Sequence, residues 1–361
     1  MKSRERRTRP AATDKPQANG TKRAQTQGAR LSAAEYADGI RAGNRTILAK
    51  AITLIESSRA SDRDLADEVT DSCLVPGNNS IRIGITGVPG AGKSTLIEAL
   101  GRHIVTDCGQ RVAVLSVDPT SPNGGGSILG DKTRMNFLAS SDMAFIRPSP
   151  TRGILGGVAQ HTRDAIALCE AAGYQNVFVE TVGVGQSETA VRDMVDSFLL
   201  ITVPRMGDEL QAIKRGIMEM ADAVVVNKAE GENLPAAKRA QADAQNALRL
   251  QPAYTPGWKP PVLVCSARFG LGIPAIWSCI LDHKRTAAAS GWREELRGHQ
   301  RLRWFHDNIR DGLLQRFVSN PLVHERIPQL EREIAAGHLS AVSGARKLLD
   351  SCLSGRSIRR R

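Results

Sequence analysis

Short apolar runs alternate with helix-like patterns through the middle of the chain. Each run is apolar at successive positions, which is typical of strands buried on both faces. Parallel strands need crossover helices between them, so the alternation predicts an α/β fold with a mostly parallel central sheet flanked by helices. The predicted strands are residues 81–86, 111–117, 143–147, 176–181, 198–203, 223–227 and 262–266.

Helical patterns without strands extend this core at both ends. Ser32 and Glu35 have the spacing of a capping box at the first of them. We expect an N-terminal helical segment over 31–76, a central domain over 77–286 and a C-terminal helical extension over 287–353. The predicted helices are residues 32–42, 45–58 and 62–73 before the sheet, and 276–286, 292–318, 327–336 and 340–352 after it, with Pro321 expected to end the longest.

A glycine-rich turn joins the first predicted strand to the next helical pattern. Glycines let backbone N–H groups converge on phosphates, and the start of a helix adds the positive end of its dipole. Lys93 is predicted to reach the β- and γ-phosphates, and Ser94 to hold Mg²⁺. Alone, the turn fits an ATPase, a kinase or a GTPase. The phosphate-binding P-loop that it matches comprises Gly87, Val88, Pro89, Gly90, Ala91, Gly92, Lys93 and Ser94, followed by Thr95.

Acidic residues follow two later strands, where ligands bind in open α/β sheets. Asp118 follows the second strand and Glu180 ends the fourth, and Asp131 lies in a glycine-rich loop after Asp118. Mg²⁺ prefers oxygen ligands, so all three are candidate metal ligands, although either aspartate alone is more often a helix cap or a loop residue. Gly183 comes three residues after Glu180, as in a switch segment whose N–H senses the γ-phosphate. Val184 stands where such segments often have a water-positioning glutamine, which predicts slow unaided hydrolysis.

Two further strand ends carry a pattern that reads a nucleobase. Asn227, Lys228 and Glu230 nearly match Asn-Lys-x-Asp, whose carboxylate accepts hydrogen bonds from guanine N1–H and N2–H₂. Adenine offers no such pair of donors. Ser266 and Ala267 follow the next strand and would present a backbone N–H to guanine O6. Together these segments predict binding of GTP and GDP, with Glu230 as a longer acid than the usual Asp.

The positive charge of the chain is concentrated at its ends. Of the formal net charge of +12, residues 1–30 carry +7 and residues 354–361 carry +4, so both are expected to be disordered basic tails. The remaining body has little net charge, and aromatic residues are only 4% of the chain, which argues against nucleic acid as a partner. An arginine-rich transit peptide is the alternative for the first tail, but prolines interrupt any amphipathic helix there.

Membrane and secretory classes are not expected. No apolar run is long enough to span a bilayer, and the N-terminus lacks an apolar signal core. The six cysteines include no Cys-x-x-Cys pair and no close Cys/His cluster, so a structural zinc site is not expected. This cysteine usage favours a reducing, cytoplasmic compartment.

The motifs together resemble those of the MeaB/MMAA (ArgK) family of P-loop GTPases. The resemblance extends from about Ser32 through the C-terminal helices, and it is carried by GVPGAGKST, VDPTSP, GGGSILGDKTRM, ETVGVGQSE, GDELQAIKRGIMEMAD and NKAE. It implies a GTPase chaperone that assists adenosylcobalamin loading and protection of an adenosylcobalamin-dependent acyl-CoA mutase, methylmalonyl-CoA mutase above all. It also implies a homodimer joined through the C-terminal helices.

The same resemblance assigns roles to individual residues. Residues 207–214 match an additional switch loop that responds to the mutase, and Asn227, Lys228 and Glu230 match the base-reading positions. Two alternatives remain, a metallochaperone-type GTPase and a P-loop small-molecule kinase. The first would be expected to carry clustered Cys/His ligands, and the guanine motifs weigh against the second. The phosphate and Mg²⁺ positions are matched by Lys93, Ser94, Asp118, Asp131 and Glu180.

Overall fold

The computed structural model describes residues 30–57, 59–117, 135–148, 155–181, 187–204, 215–249 and 251–353. Its strands are β1 Ile81–Gly87, β2 Val112–Val117, β3 Ala144–Pro148, β4 Asn176–Thr181, β5 Ser197–Thr202, β6 Ala223–Val226 and β7 Val262–Val264. They form one seven-stranded parallel sheet in the order β3-β2-β4-β1-β5-β6-β7. The predicted α/β fold is confirmed, and every strand end lies within two residues of its predicted position.

Helices precede, connect and follow these strands. Ser32 and Glu35 form the predicted capping box at the first helix, with the Ser32 N–H donating to Glu35 Oε2 at 2.8 Å. The helices of the described residues are α1 Ala33–Arg41, α2 Arg45–Ile55, α3 Ala60–Ser72, α4 Lys93–Thr106, α5 Asn136–Ser140, α6 Leu155–Ala171, α7 Ser187–Arg192, α8 Arg215–Glu219, α9 Leu234–Arg249, α10 Ile273–Ala289, α11 Trp292–Val318, α12 Pro321–Ala335 and α13 Ala341–Leu353.

Helices cover both faces of the sheet. On one face, Ile52 of α2 and Leu168 of α6 pack in an apolar cluster with Val179 of β4. On the other face, Leu96 of α4 packs in a second cluster with Phe178 of β4. Successive residues of one strand therefore enter two different cores, as a parallel sheet buried on both sides requires. The N-terminal helices belong to the first of these cores.

Two C-terminal helices begin earlier than the sequence predicts. The pattern predicts the helix after α11 from residue 327, but α12 begins at Pro321, with the Asn320 side chain as its cap. Proline suits this position because the first residue of a helix needs no N–H for hydrogen bonding. Similarly, α10 begins at Ile273 and takes Pro274 into its first turn. The long helix α11 has the predicted bounds.

Paired charges lie at the amino end of the sheet, where the strands begin. Arg82 of β1 donates two hydrogen bonds to the Glu170 carboxylate, at 2.7 and 2.8 Å. Arg297 of α11 donates two more to the Asp196 carboxylate, both at 2.7 Å. All four side chains are largely buried. This pairing joins the C-terminal extension to the start of β5.

Within the described residues, no helix combines the length and the apolar character that crossing a membrane would require.

Candidate functional site

The P-loop turn lies between β1 and α4 at the carboxyl end of the sheet. Gly87 has φ 150°, and a Cβ atom there would lie 2.2 Å from the backbone oxygen of Ile201. Gly92 has φ 90°, and a Cβ atom there would lie 2.6 Å from the Asn227 side-chain nitrogen. Both positions therefore need glycine, for backbone conformation and for space. The turn is held close to the tips of two neighbouring strands.

Lys93 and Ser94 begin α4, and both are buried. The Lys93 ammonium donates a hydrogen bond to the backbone oxygen of Gly87 at 2.9 Å, so its side chain folds back over the turn. In contrast, Pro89, Gly90 and Thr95 are exposed. The predicted phosphate-binding lysine is thus placed inside the loop that would surround the phosphates.

Glu180 at the end of β4 meets the P-loop helix. The parallel register pairs Ile85 of β1 with Glu180. The Ser94 hydroxyl donates to Glu180 Oε1 at 2.9 Å, and the Thr181 hydroxyl donates to that of Thr86 at 3.0 Å. A serine hydroxyl and a carboxylate at this separation are the oxygen donors that Mg²⁺ prefers. Two of the predicted metal ligands therefore lie together and fit the ion.

Asn227 connects the P-loop with two strand tips. Its buried amide nitrogen donates to the backbone oxygen of Ala91 at 2.9 Å. Its oxygen accepts from the Ala267 N–H at 3.0 Å and from the Cys265 thiol at 3.4 Å. Burial raises the pKa of that thiol to about 12, so it stays protonated and able to donate. Asn227 therefore fixes the distance between the phosphate end and the base end of the site.

The base end contains two polar oxygen atoms that lack partners. Glu230 Oε2 and the buried Ser266 hydroxyl oxygen have no hydrogen-bond partner among the described residues. Buried polar groups are normally paired, so such atoms at one place indicate a missing polar ligand. The two segments are neighbours, because the Ala229 N–H donates to the backbone oxygen of Cys265 at 3.0 Å. Lys228, two residues before Glu230, has φ 61°, a left-handed conformation that is uncommon outside glycine.

Several predicted site residues lie outside the described residues. These are Asp118, Asp131, Gly183 and residues 207–214. Their predicted roles therefore remain predictions. The sequence also did not reveal that Asn227 contacts the P-loop, although its position at a strand tip beside that loop is a signal for the contact. Among the described residues, no group of three or more His, Cys, Asp or Glu side chains is placed to hold a metal ion.

A parallel sheet with a P-loop after β1, and with Asn227 joining that loop to the tips of β6 and β7, defines a P-loop GTPase. Its family follows from comparison with known proteins. The family model described as "Methylmalonyl Co-A mutase-associated GTPase MeaB" matches residues 48–322. The chain belongs to this family, which confirms the resemblance seen in its motifs.

Individual relatives agree with this assignment. The chain is 44% identical over 321 residues to "Methylmalonic aciduria type A homolog, mitochondrial" of Mus musculus, covering 86% of this chain and 77% of that protein. It is 43% identical over 315 residues to "GTPase ArgK" of Escherichia coli (strain K12), covering 87% of this chain and 95% of that protein. A solved structure, "Crystal structure of LAO/AO transport system kinase", matches with a TM-score of 0.69 and 36% identity, covering 89% of this chain and 97% of that one.

Proposed function

We propose that this GTPase assists adenosylcobalamin loading and protection of methylmalonyl-CoA mutase, or of a closely related acyl-CoA mutase. The observation that carries the nucleotide part is the unpartnered pair at the base end, Glu230 Oε2 and the Ser266 hydroxyl oxygen. A guanine edge would supply the N–H donors that the Glu230 carboxylate lacks. The mutase part rests on membership of a family whose description names that enzyme.

The phosphate end would hold the ion that accompanies the nucleotide. Ser94 and Glu180 would bind Mg²⁺, with Asp118 and Asp131 as further ligands. When bound, the ion neutralises charge on the β- and γ-phosphates. Lys93 would exchange its contact with Gly87 for contacts to those phosphates, so it would bind substrate and stabilise the transition state. Gly183 would sense the γ-phosphate through its N–H.

Hydrolysis is proposed to be slow in the isolated protein and faster with the mutase. Val184 cannot orient a water molecule as a glutamine would, so the chain lacks one usual source of acceleration at that position. Residues 207–214 are proposed to respond to the mutase. The function of hydrolysis would then be to time the action of the protein on the mutase rather than to supply GDP and phosphate.

A homodimer is proposed to form through the C-terminal helices. Leu302, Phe305 and Leu313 of α11 are about 60% exposed, which is unusual for large apolar side chains at helical spacing. A second copy would cover them. A cytoplasmic location is also proposed, since free thiols are typical of a reducing compartment. The cysteines that the structure shows as free thiols are Cys73, Cys108, Cys169, Cys265 and Cys279.

Two measurements test the proposal. GTP should displace a fluorescent guanine nucleotide at least about tenfold better than ATP, since a site built to accept two base N–H groups discriminates against adenine. Phosphate release should rise when an adenosylcobalamin-dependent methylmalonyl-CoA mutase is added, and a complex should appear on sizing. Equal competition by ATP would favour the kinase alternative. Absence of both complex and stimulation would remove the chaperone role.

A further inference from the structure

The short connection between α7 and β5, residues 193–196, is held by one helix of the C-terminal extension. Arg297 of α11 pairs with the Asp196 carboxylate, and the Gln300 amide donates to the backbone oxygen of Val195 at 2.9 Å. One turn later, Arg303 pairs with the Asp193 carboxylate. The Trp304 indole N–H donates to the Asp193 backbone oxygen at 3.1 Å. Nearly the whole connection therefore contacts α11.

The contact with Asp193 caps the carboxyl end of α7. The Asp193 N–H donates to the backbone oxygen of Thr189 at 3.0 Å, so Asp193 directly follows the last turn. Carbonyl groups at this end of a helix have no partner within the helix, and Trp304 supplies one. The positive charge of Arg303 also lies at the end of the helix dipole that favours it. Helix α7 follows the predicted γ-phosphate sensor in the chain, so α11 holds its far end.

The two ion pairs between α11 and the connection differ in how easily they can change. The Arg297 side chain is 9% exposed and donates two hydrogen bonds to Asp196, and breaking such a buried pair is costly. The Arg303 side chain is 55% exposed, and exposed pairs typically contribute less than about 1 kcal/mol. The pair at Asp196 is therefore suited to be a fixed point. The pair at Asp193 is suited to form and break with small movements of α7.

The opposite face of α11 carries the exposed apolar side chains. Successive residues of a helix are about 100° apart, so the two faces of α11 can be assigned from the sequence. One face includes Arg297, Gln300 and Trp304. The apolar side chains on the opposite side are Leu302, Phe305, Ile309 and Leu313. All four apolar side chains are exposed. One continuous helix thus has the connection after α7 on one side and an uncovered apolar stripe on the other.

We propose that Arg303 and Trp304 are positioning residues that couple the bound nucleotide, through α7, to the orientation of α11 and its apolar stripe. The inference rests on the proposed function, because it takes the segment before α7 as the γ-phosphate sensor. Coupling of this kind is reciprocal: if the nucleotide shifts α11, then loosening α11 shifts the preference between nucleotides by the same factor.

Hydrogen exchange on the full chain tests the coupling. Backbone exchange in residues 305–318 is compared between the Mg²⁺ complexes of GDP and of a non-hydrolysable GTP analogue. In the unmodified protein we expect exchange rates to differ at least about fivefold, the lower range of allosteric coupling. In Arg303→Ala and Trp304→Phe the difference should fall below about twofold, since coupling is what these variants remove. Trp304→Phe keeps most of the ring and removes only the N–H donor.

Two further variants make the test specific. Arg301→Ala removes an exposed arginine two positions before Arg303, and Arg301 makes no hydrogen bond or ion pair with the described residues. In this control the exchange rates with GDP and with the analogue should differ as much as they do in the unmodified protein. Arg303→Lys keeps the charge and should restore part of the effect. As a second readout, the ratio of affinities for GDP and the analogue should change about fivefold in Arg303→Ala and not in Arg301→Ala.

Each outcome decides the proposal. The proposal would be overturned if hydrogen exchange in α11 depended on the nucleotide as strongly in both Arg303→Ala and Trp304→Phe as in the unmodified protein, provided that both variants melt cooperatively. Tight binding of both nucleotides without any change in α11 of the unmodified protein would also overturn it, while leaving the proposed function intact. If neither nucleotide binds, the proposed function fails, and the coupling fails with it.

Discussion

The acidic side chains at the two ends of the sheet differ in how they are paired. At the amino end, Arg82, Glu170, Asp196 and Arg297 are largely buried and are paired with each other. At the carboxyl end, Glu230 Oε2 has no hydrogen-bond partner in the part of the chain that the structure describes. A buried polar group without a partner costs stability, whereas a paired one fixes a geometry. The amino end is therefore built for rigidity, and the carboxyl end retains polar capacity for a ligand.

At the amino end, neighbouring cationic groups outweigh the effect of burial on the pKa of the acidic side chains. Burial alone would raise the pKa of Asp196, but the hydrogen bonds and charge of Arg297, together with Arg82, lower it to about 2. Asp222 behaves similarly: burial would raise its pKa, but Arg192 and His283 hold it below its ordinary value. Both carboxylates therefore stabilise the fold above about pH 4, and this stabilisation is lost as the pH falls toward their folded-state pKa values.

The largest expected effect is on stability, from breaking a pair at the amino end. Arg82→Ala leaves the Glu170 carboxylate buried without its bidentate partner, which should lower the free energy of unfolding by about 3–5 kcal/mol. Nucleotide affinity should change less than about twofold, since the change lies at the other end of the sheet. Denaturant unfolding and calorimetric titration with GTP measure the two quantities.

Adding Glu170→Gln to Arg82→Ala is the matched control. Removing the carboxylate charge that lost its bidentate partner should recover part of the lost stability. A double variant as unstable as the sum of the two single ones would show that the pair does not act as a unit.

Lys93→Ala should give the reverse pattern. Loss of the lysine removes charge-assisted hydrogen bonds to the phosphates, and GTP affinity should fall at least about 100-fold. The free energy of unfolding should change by only about 1 kcal/mol, the typical net contribution of a hydrogen bond such as that from the ammonium to Gly87. Lys238→Ala, an exposed change on α9, is the control. Unchanged GTP affinity by calorimetry would be incompatible with the P-loop assignment.

Asp164 shows the effect of burial on a carboxyl group that lacks the strong cationic pairing of Asp196 and Asp222. Burial, and then the neighbouring Asp67 carboxylate, raises the pKa of Asp164 on α6 to about 7. The folded state therefore binds this proton more tightly than the unfolded state, and the resulting stability is lost as the pH rises from about 4 to 7. Three pKa units would correspond to about 4 kcal/mol. Because the Asp164 residue is partly exposed, solvent screening reduces this value, and we expect Asp164→Asn to stabilise the protein by about 1–2 kcal/mol at pH 8 relative to pH 4. Chemical unfolding at the two pH values checks this, and a pH-independent effect would contradict it.

The smallest expected effect tests the length of Glu230, the acid that is proposed to read the base. Glu230→Asp withdraws the carboxylate by one methylene from a site formed around Glu230, so GTP affinity should fall about two- to fivefold while ATP binding stays unchanged. Competition titrations measure both. A gain in GTP affinity would mean that the longer side chain is a handicap and that the usual Asp fits this site better.

The sequence predicts the sheet well because buried parallel strands are continuous apolar runs that need no distant information. It predicts the P-loop for a similar reason, since the glycines at 87 and 92 are required locally. The start of α12 was placed wrongly because proline is compatible with both ends of a helix. The roles of Asp118 and Asp131 remain predictions.

The amino end could not be predicted from the sequence. Arg82, Glu170, Asp196 and Arg297 are far apart along the chain, and each charged residue alone is typical of a solvated surface. Only the fold brings them together and buries them. The capping of α7 by Trp304 is hidden in the same way, because an aromatic residue in a long helix usually indicates packing.

The length of α11 determines how far a small change at Asp193 can reach. The helix has 27 residues, and it continues beyond Arg303 for about 22 Å at about 1.5 Å per residue. As a lever pivoting near its contact with the sheet, it would convert a tilt of about 5° into a displacement of about 2 Å at Val318. That distance is comparable to the helix shifts seen at subunit interfaces that switch. A movement too small to disturb the nucleotide core could thus realign the apolar stripe of α11, which is proposed to bind a second subunit.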